Sequence, residues 1–413
     1  MSSEGVIAMS EENDEKSAPV PRRRFPEFRE VKGWTSKLLG PYLEDCSGRV
    51  PPDTDLPIYS STREGLKRQD AYFDGRVLQN KNEYGVVPPG CFVYRHMSDD
   101  GLFKFNINKT GGDIAVSKEY PVFSTKGLCA AFLLAKLNDG LDFKKFALSQ
   151  KAGGTRTRLY FSRLCEWHTL LPSPAEQQKI ADCLSSLDEL IAAESQKLDA
   201  LKTHKKGLMQ QLFPREGETA PQRRFPKFRG AREWDVKTLS ELAANLDSRR
   251  IPVTESDRVK GVVPYYGASG IVDYIHDFIF DEDLLCVSED GANLVARTTP
   301  IAFSISGKTW VNNHAHVLKF DRRCVQKIVE NYLNSVSLED YLTGMAQPKL
   351  NRAMLDTILV PVPQDEDEQE AVAGCLSSLD DLITAQSQKI DALNSHKKGL
   401  MQQLFPALDE VRE

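Results

Sequence analysis

The run Ser306, Gly307, Lys308, Thr309 has the ending of a phosphate-binding loop, where a lysine and a hydroxyl join backbone amides around a phosphate. That pattern also needs a glycine five residues before Gly307. The position holds Ala302, so the run reads as a turn. His314 and His316 form an H-x-H pair that could ligate a metal, but no carboxylate or cysteine accompanies them in the pattern of a metal site, and hydrogen-bonding histidines are the better reading. Asp14, Glu15 and Lys16 carry a nuclease-like triplet in a tail, where chance explains it. No G-x-G-x-x-G occurs, which removes the dinucleotide fingerprint. An Asp/Asn-Pro-Pro-Tyr/Phe element, expected of an amino-methyltransferase, is missing too, and "VPPG" at 87–90 does not supply it. Neither catalytic nor metal-ligating residues are assigned. The sequence reads as that of a non-catalytic protein.

Polar and basic side chains in Gly- and Asn-rich segments are what the chain has instead. Such groups can reach base edges and phosphates. In the first half they are Ser61, Arg63, Lys67 and Arg68 in "SSTREGLKRQ", Asn106, Asn108 and Lys109 in "FNINKTGG", and Thr155, Arg156 and Arg158 in "KAGGTRTR". In the second half they are Arg249 and Arg250 in "DSRR", then Tyr266 and Ser269 in "YYGASG". Lys308, Asn312, Asn313 and His314 follow in "SGKTWVNNHAH", with Lys349, Asn351 and Arg352 in "QPKLNR". Any one segment taken alone is a solvated loop. As a set carried by two modules they favour an extended polyanion.

Those loops need scaffolds, and short β-rich runs such as "GCFVYR" and "HAHVLKF", broken by Gly, Pro, Asn and Asp, provide them. Helix is expected near 125–137 and 324–333. The class is α+β, with modules at 22–172 and 223–363. A tail covers 1–21, a linker 215–222 and a second tail 407–413.

Between and after the modules lie segments of another kind. Residues 183–214 and 375–406 match at 26 of 32 positions, and "HKKGLMQQLFP" stands unchanged at 204–214 and 396–406. "RRFPEFR" at 23–29 likewise returns as "RRFPKFR" at 223–229, and Trp34 as Trp234. Leu184, Leu187, Ile191, Leu198, Leu201, Leu208 and Leu212 follow the 3–4 spacing of a coiled-coil seam, interrupted by Glu194 and Lys205. The second copy keeps the seam, with Gln386 and Lys397 at the interruptions. Ser173, Pro174 and Glu176 spell a helix start, and Asp365 and Glu368 offer the same roles. Pro214 and Pro406 stop the helices, placed at 173–214 and 364–406. Each is about 60 Å long at 1.5 Å per residue. A stripe so narrow needs a partner, and the other copy, packed antiparallel with a module at each end, is the obvious one. Close approach of the two backbones, or of another protein, would give Gly207 and Gly399 a purpose. Off the seam, Gln196, Lys197, His204 and Lys206 repeat as Gln388, Lys389, His396 and Lys398. Either duplication copied everything, or both copies show one face to two molecules of one partner.

Composition bounds the rest. The apolar run near 129–135 is far too short for a bilayer span of about 20 residues, so no membrane is expected. Eight cysteines without a C-x-x-C pair read as reduced residues of a cytoplasmic protein. A net charge of −6 lowers the prior for DNA binding without removing it. The rival to DNA is a two-headed coiled-coil scaffold for proteins or glycans.

The paired "RRFPxFR…W" openings, "VPYYGASGIVDYI…SEDGANL", "WVNNHAHVL" and the "EQ…KKGLMQQLFP" helices resemble the specificity subunit of type I restriction–modification systems. The first module departs from the pattern, with "IYSSTREGL" where the second has "YYGASGI". The resemblance implies two target recognition domains separated by an antiparallel coiled coil, each reading one half of a split sequence in double-stranded DNA, with the helices as a spacer ruler. It further implies two methyltransferase subunits docked on the repeated helices and supplying S-adenosylmethionine. Restriction subunits would add ATP- and Mg-dependent translocation and cleavage. No cofactor is implied for this chain itself.

Overall fold

A computed structural model of the chain describes residues 19–72, 83–151, 156–215, 217–344 and 347–406. It divides into two compact units. One runs to Ala193 and takes in the chain again from Ile390; the other is Glu194–Lys389.

In the first unit an antiparallel sheet orders Leu43–Asp45, Val122–Thr125, Phe92–Tyr94 and Phe105–Ile107. A second sheet orders Ile114–Ser117, Tyr84–Val87 and Gly48–Val50. Aromatic residues fill the core: Phe92 stacks on Phe123 at 4.8 Å, and Phe143 meets Trp167 edge-on at 5.2 Å. Helix appears at Ala130–Asp139, later than 125–137 because Val122–Thr125 is still strand, and an unanticipated helix follows at Leu141–Ser149.

The second unit holds an antiparallel sheet of Ala243–Asn245, Ala315–Phe320, Leu284–Ser288 and Ala302–Ile305. A mixed sheet contains Gly270–Ile275, Lys260–Gly267, Lys308–Val311 and Phe280–Asp281. The helix Arg323–Ser335 buries Ile328, Val329 and Leu333. In both units the first strand pairs with the strand leading into a long helix: Thr35–Leu38 with His168–Leu171, and Asp235–Thr238 with Leu359–Val362. Each module therefore begins and ends at one place, beside the helix start.

The long helices are Pro174–Leu212 and Glu366–Leu404, 39 residues each. Ser173 Oγ accepts from the Glu176 amide at 3.3 Å, and Asp365 Oδ1 from the Glu368 amide at 3.2 Å, as the cap signals require. The other half of the expected capping box is replaced. The Glu176 carboxylate is buried and accepts from Arg24 Nε and Nη2 at 2.8 and 2.7 Å and from Trp34 Nε1 at 3.3 Å. Glu368 repeats the arrangement with Arg224, at 2.6 Å twice, and Trp234, at 3.3 Å. The repeated openings and the repeated "EQ" pairs are two ends of one buried ion pair.

Within each unit the helical segments run antiparallel. In the first, Ile180, Ala181 and Leu184 share a core with Met401, Leu404 and Phe405, and Lys397 meets Asp188. In the second, Met209, Leu212 and Phe213 pack with Val372, Ala373 and Leu376. There the seam interruptions are matched: Gln386 donates to Glu194 Oε2 at 2.6 Å, and Lys205 pairs with Asp380. Close approach of the two helix backbones at the glycines is not found, since a Cβ added to Gly207 or Gly399 meets no atom of the chain within 4 Å.

The eleven repeated residues close both modules. Phe405 stands edge-on to Trp34, with centroids 5.9 Å apart, and Phe213 to Trp234 at 6.1 Å, both at 86°. The Arg23 amide donates to Gln403 O, and the Arg223 amide to Gln211 O, each at 2.9 Å.

Candidate nucleic-acid interface

In the second unit, segments scattered over a hundred residues of sequence converge. Asp247 Oδ1 accepts from the Val317 amide at 2.9 Å, and its Oδ2 lies 2.6 Å from His316 Nδ1. His316 Nε2 lies 2.7 Å from Leu350 O. Arg250 donates to Glu289 Oε2 at 2.7 Å and to Ala315 O at 2.8 Å. Lys349 Nζ reaches the other oxygen of Glu289 at 3.2 Å, and His314 Nδ1 reaches Asp290 at 2.8 Å. The carboxylates beside both histidines thus come from far along the chain. Ser288 Oγ donates to Ala268 O at the hairpin tip, and the Asn312 amide to Tyr266 O at 3.0 Å.

This gathers Arg250, Tyr266, Ser269, Asn312, Asn313, His314 and Lys349. Ser269, Asn313, His314 and Lys349 are exposed, whereas Asn312 is buried and accepts from the His314 amide at 2.8 Å. Arg250 is nearly buried and committed to its partners. Burial pushes Asp247 and Glu289 up, but it is outweighed. His316, the Val317 amide and Arg250 hold Asp247 below the usual carboxylate range; Arg250, His316 and Lys349 do so for Glu289. Other candidates lie elsewhere. Arg249 pairs with Glu282, Lys308 sits over the Phe278 ring, and Arg352 pairs with Asp356. Asn351 caps a short helix by accepting from the Met354 amide.

The first unit builds a comparable place. Tyr59–Thr62 and Gly65–Arg68 form a hairpin whose two-residue connection is followed by Gly65 at φ +121°. Lys260–Gly267 and Gly270–Ile275 do the same, with Gly270 at φ +117°. The stretch that departs in sequence is therefore the same device in backbone. Arg63 Nη2 contacts both Asp100 oxygens at 2.6 Å, which with Ser98 holds Asp100 well below the usual carboxylate range. Arg156 Nε donates to Asp99 at 2.8 Å. Asn106 Nδ2 donates to Ser61 Oγ at 2.8 Å, and Asn108 braces its loop through Val87 O and Gly112 O, so both asparagines are buried in structural bonds. Lys67 pairs with Glu64 and Arg68 with Asp70. Lys109 and Arg158 are exposed. Thr155 lies outside the described residues.

A cleft of about 770 Å³ opens beside this hairpin, with Arg63, Arg95, Lys104 and Tyr120 in its wall. Sequence reading passed over Arg95 and Lys104. It also passed over a signal in plain view: Ser98, Asp99, Asp100 and Gly101 repeat as Ser288, Glu289, Asp290 and Gly291. Both glycines have positive φ, +76° and +106°, and both turns tether a hairpin tip.

The family description "Type I restriction modification DNA specificity domain" matches residues 99–203 and 231–395, which take in most of each long helix, most of the first acidic turn and all of the second. The chain belongs to this family. A Haemophilus influenzae protein provisionally named as a type I restriction enzyme specificity subunit is 34% identical over 131 residues, 32% of this chain and 33% of that protein. The type I restriction enzyme MjaVIII specificity subunit of Methanocaldococcus jannaschii is 26% identical over 273 residues, 59% of this chain and 62% of its own length. The matched stretches thus span between a third and two thirds of those relatives. In fold, the type I restriction–modification S subunit from M. genitalium covers 94% of this chain and all of its own, at TM-score 0.60 and 13% identity. The family matches twice along this chain, and in the structure the two units share paired hairpins, acidic turns and buried Arg–Glu anchors.

The eight repeated polar residues on the helices, Gln196, Lys197, His204, Lys206, Gln388, Lys389, His396 and Lys398, are all exposed. Lys389 also pairs with Glu194 at 2.6 Å.

Proposed function

We propose that this chain is the DNA specificity subunit of a type I restriction–modification complex, each module reading one half of a bipartite target. The observation that carries the reading is the doubled arrangement of hairpin tip and acidic turn, each presenting basic and amide side chains from several segments. Hairpins and loops of this kind reach base edges, while Lys and Arg meet phosphates. The chain itself performs no catalysis. Methyltransferase subunits bearing S-adenosylmethionine dock on the repeated helical faces, and restriction subunits supply the ATP- and Mg-dependent steps. The length of the paired helices sets the unread spacer, and the complex acts in the cytoplasm.

A methylome tests this. The chain is co-expressed with its methyltransferase subunit in a methylation-free host, and modified adenines are mapped. A split motif with one constant spacer is expected, and deleting one heptad from both helices should change the spacer or abolish modification. Stable association with no modified sequence, or an unchanged spacer after the deletion, would count against the reading and the ruler respectively.

A further inference from the structure

The acidic turns are out of place on a surface meant for phosphates. Asp99, Asp100 and Glu289 are carboxylates at the centre of each candidate interface, and each holds a cation from a different segment. Their exposure separates two kinds of pair. Arg63 and Asp100 are 65% and 45% exposed, Arg156 and Asp99 54% and 70%, and Lys349 is 50% exposed where it meets Glu289. Ion pairs that face water in this way contribute little and exchange partners readily. Arg250 with Glu289 is different: both are 13% exposed, with further bonds to the Ala315 carbonyl, so that pair is fixed.

Resting on the DNA reading above, we infer that the two Ser-acidic-Asp-Gly turns are internal phosphate surrogates, whose carboxylates hold Arg63, Arg156 and Lys349 until DNA phosphates replace them. Arg63 Nη2 is already shared between two carboxylate oxygens, and a phosphate presents anionic oxygens to the same donor and to the rest of the guanidinium fork. Until the exchange, the pair is neutral and offers no long-range attraction to DNA of the wrong sequence. Only a half-site that seats the neighbouring hairpin brings a phosphate close enough to take the cation. Asp99, Asp100 and Glu289 are in this sense positioning residues, acting on specificity through the cations they hold.

The test uses the full chain and a mixed-sequence duplex, with binding measured across a salt series. Asp100→Asn should raise affinity severalfold and steepen the dependence of log K on log salt by about 0.9, one added phosphate contact. Asp113→Asn makes the same charge change at an exposed residue that is not the ion-pair partner of Arg63 and should leave the slope unaltered. In an Arg63→Gln background the Asp100→Asn gain should vanish. A gain equal to that of Asp113→Asn, or one that survives without Arg63, overturns the inference while leaving DNA reading intact. Absence of salt-dependent binding in every protein, the unsubstituted chain included, overturns the DNA reading and this inference with it.

Discussion

Arg24 and Arg224 each surrender a full charge to the interior, and Glu176 and Glu368 answer them with both oxygens. A buried pair of this sort adds little net stability when intact, but removing one partner strands the other. Arg24→Ala is expected to cost about 3–5 kcal/mol, read by denaturant unfolding, and Arg224→Ala should do the same for the second unit. A cost below about 1 kcal/mol, the range of an exposed pair, would mean that the anchor is not the closure described. Acid should act on the second unit through Asp247 and Glu289. Both are held below their usual range, so their stabilisation is complete above about pH 4, near the unfolded carboxylate values. It is lost as pH falls through the depressed values. Asp247→Asn should remove part of that acid dependence, and unfolding curves between pH 2 and 5 that coincide for the two proteins would contradict it. At this scale the sequence was half legible. Loop composition singles out polar segments, but not which of their side chains are spent on neighbours. Asn106, Asn108 and Asn351 look in sequence like free amides, and the folded chain gives each an internal partner. Burial, which no short stretch encodes, makes that difference.

The long helices were the most legible elements, because a 3–4 spacing that runs from Leu184 to Leu212 and again from Leu376 to Leu404, about eight turns each, has one physical solution. Their caps were legible too, except that the carboxylate expected at the cap went to a distant arginine. The hairpins were not. "IYSSTREGL" and "YYGASGI" share almost no side chains, yet a two-residue connection followed by a glycine at positive φ suffices to make them alike. Backbone conformation was the common feature, and side-chain comparison is blind to it. The helical glycines yield a prediction of their own. With open space around both, Gly207→Ala and Gly399→Ala should each stabilise the isolated chain by about 1 kcal/mol. If a methyltransferase subunit packs against that face, the same substitutions should weaken its capture in a pull-down. Destabilisation of the isolated chain would show that the glycines serve the fold.

Over the whole molecule, the two units differ in how the chain supplies them. The second is one uninterrupted stretch, Glu194–Lys389, while the first needs residues from Ile390 onward as well as those before Ala193. The repeat announced two similar halves, but not that each copy of the eleven residues closes a module. In the first unit the closing copy comes from the far end of the chain. Partnership across that distance leaves no mark in local sequence. A chain ending at residue 389 should keep the second unit intact and leave the first without Met401, Leu404 and Phe405 against Trp34. Limited proteolysis should then degrade the first module selectively, and equal protection of both would refute the division.

The crossing of that closing segment has a consequence during synthesis. Domains generally fold in the order in which they leave the ribosome. Here the half made first is the half completed last, since its core waits for Leu404 and Phe405 while the second half needs nothing beyond residue 389. A ribosome that stops early within the final helix releases a complete second unit and a first unit that lacks Met401, Leu404 and Phe405. The core of the first module is thereby completed only when translation has passed Phe405.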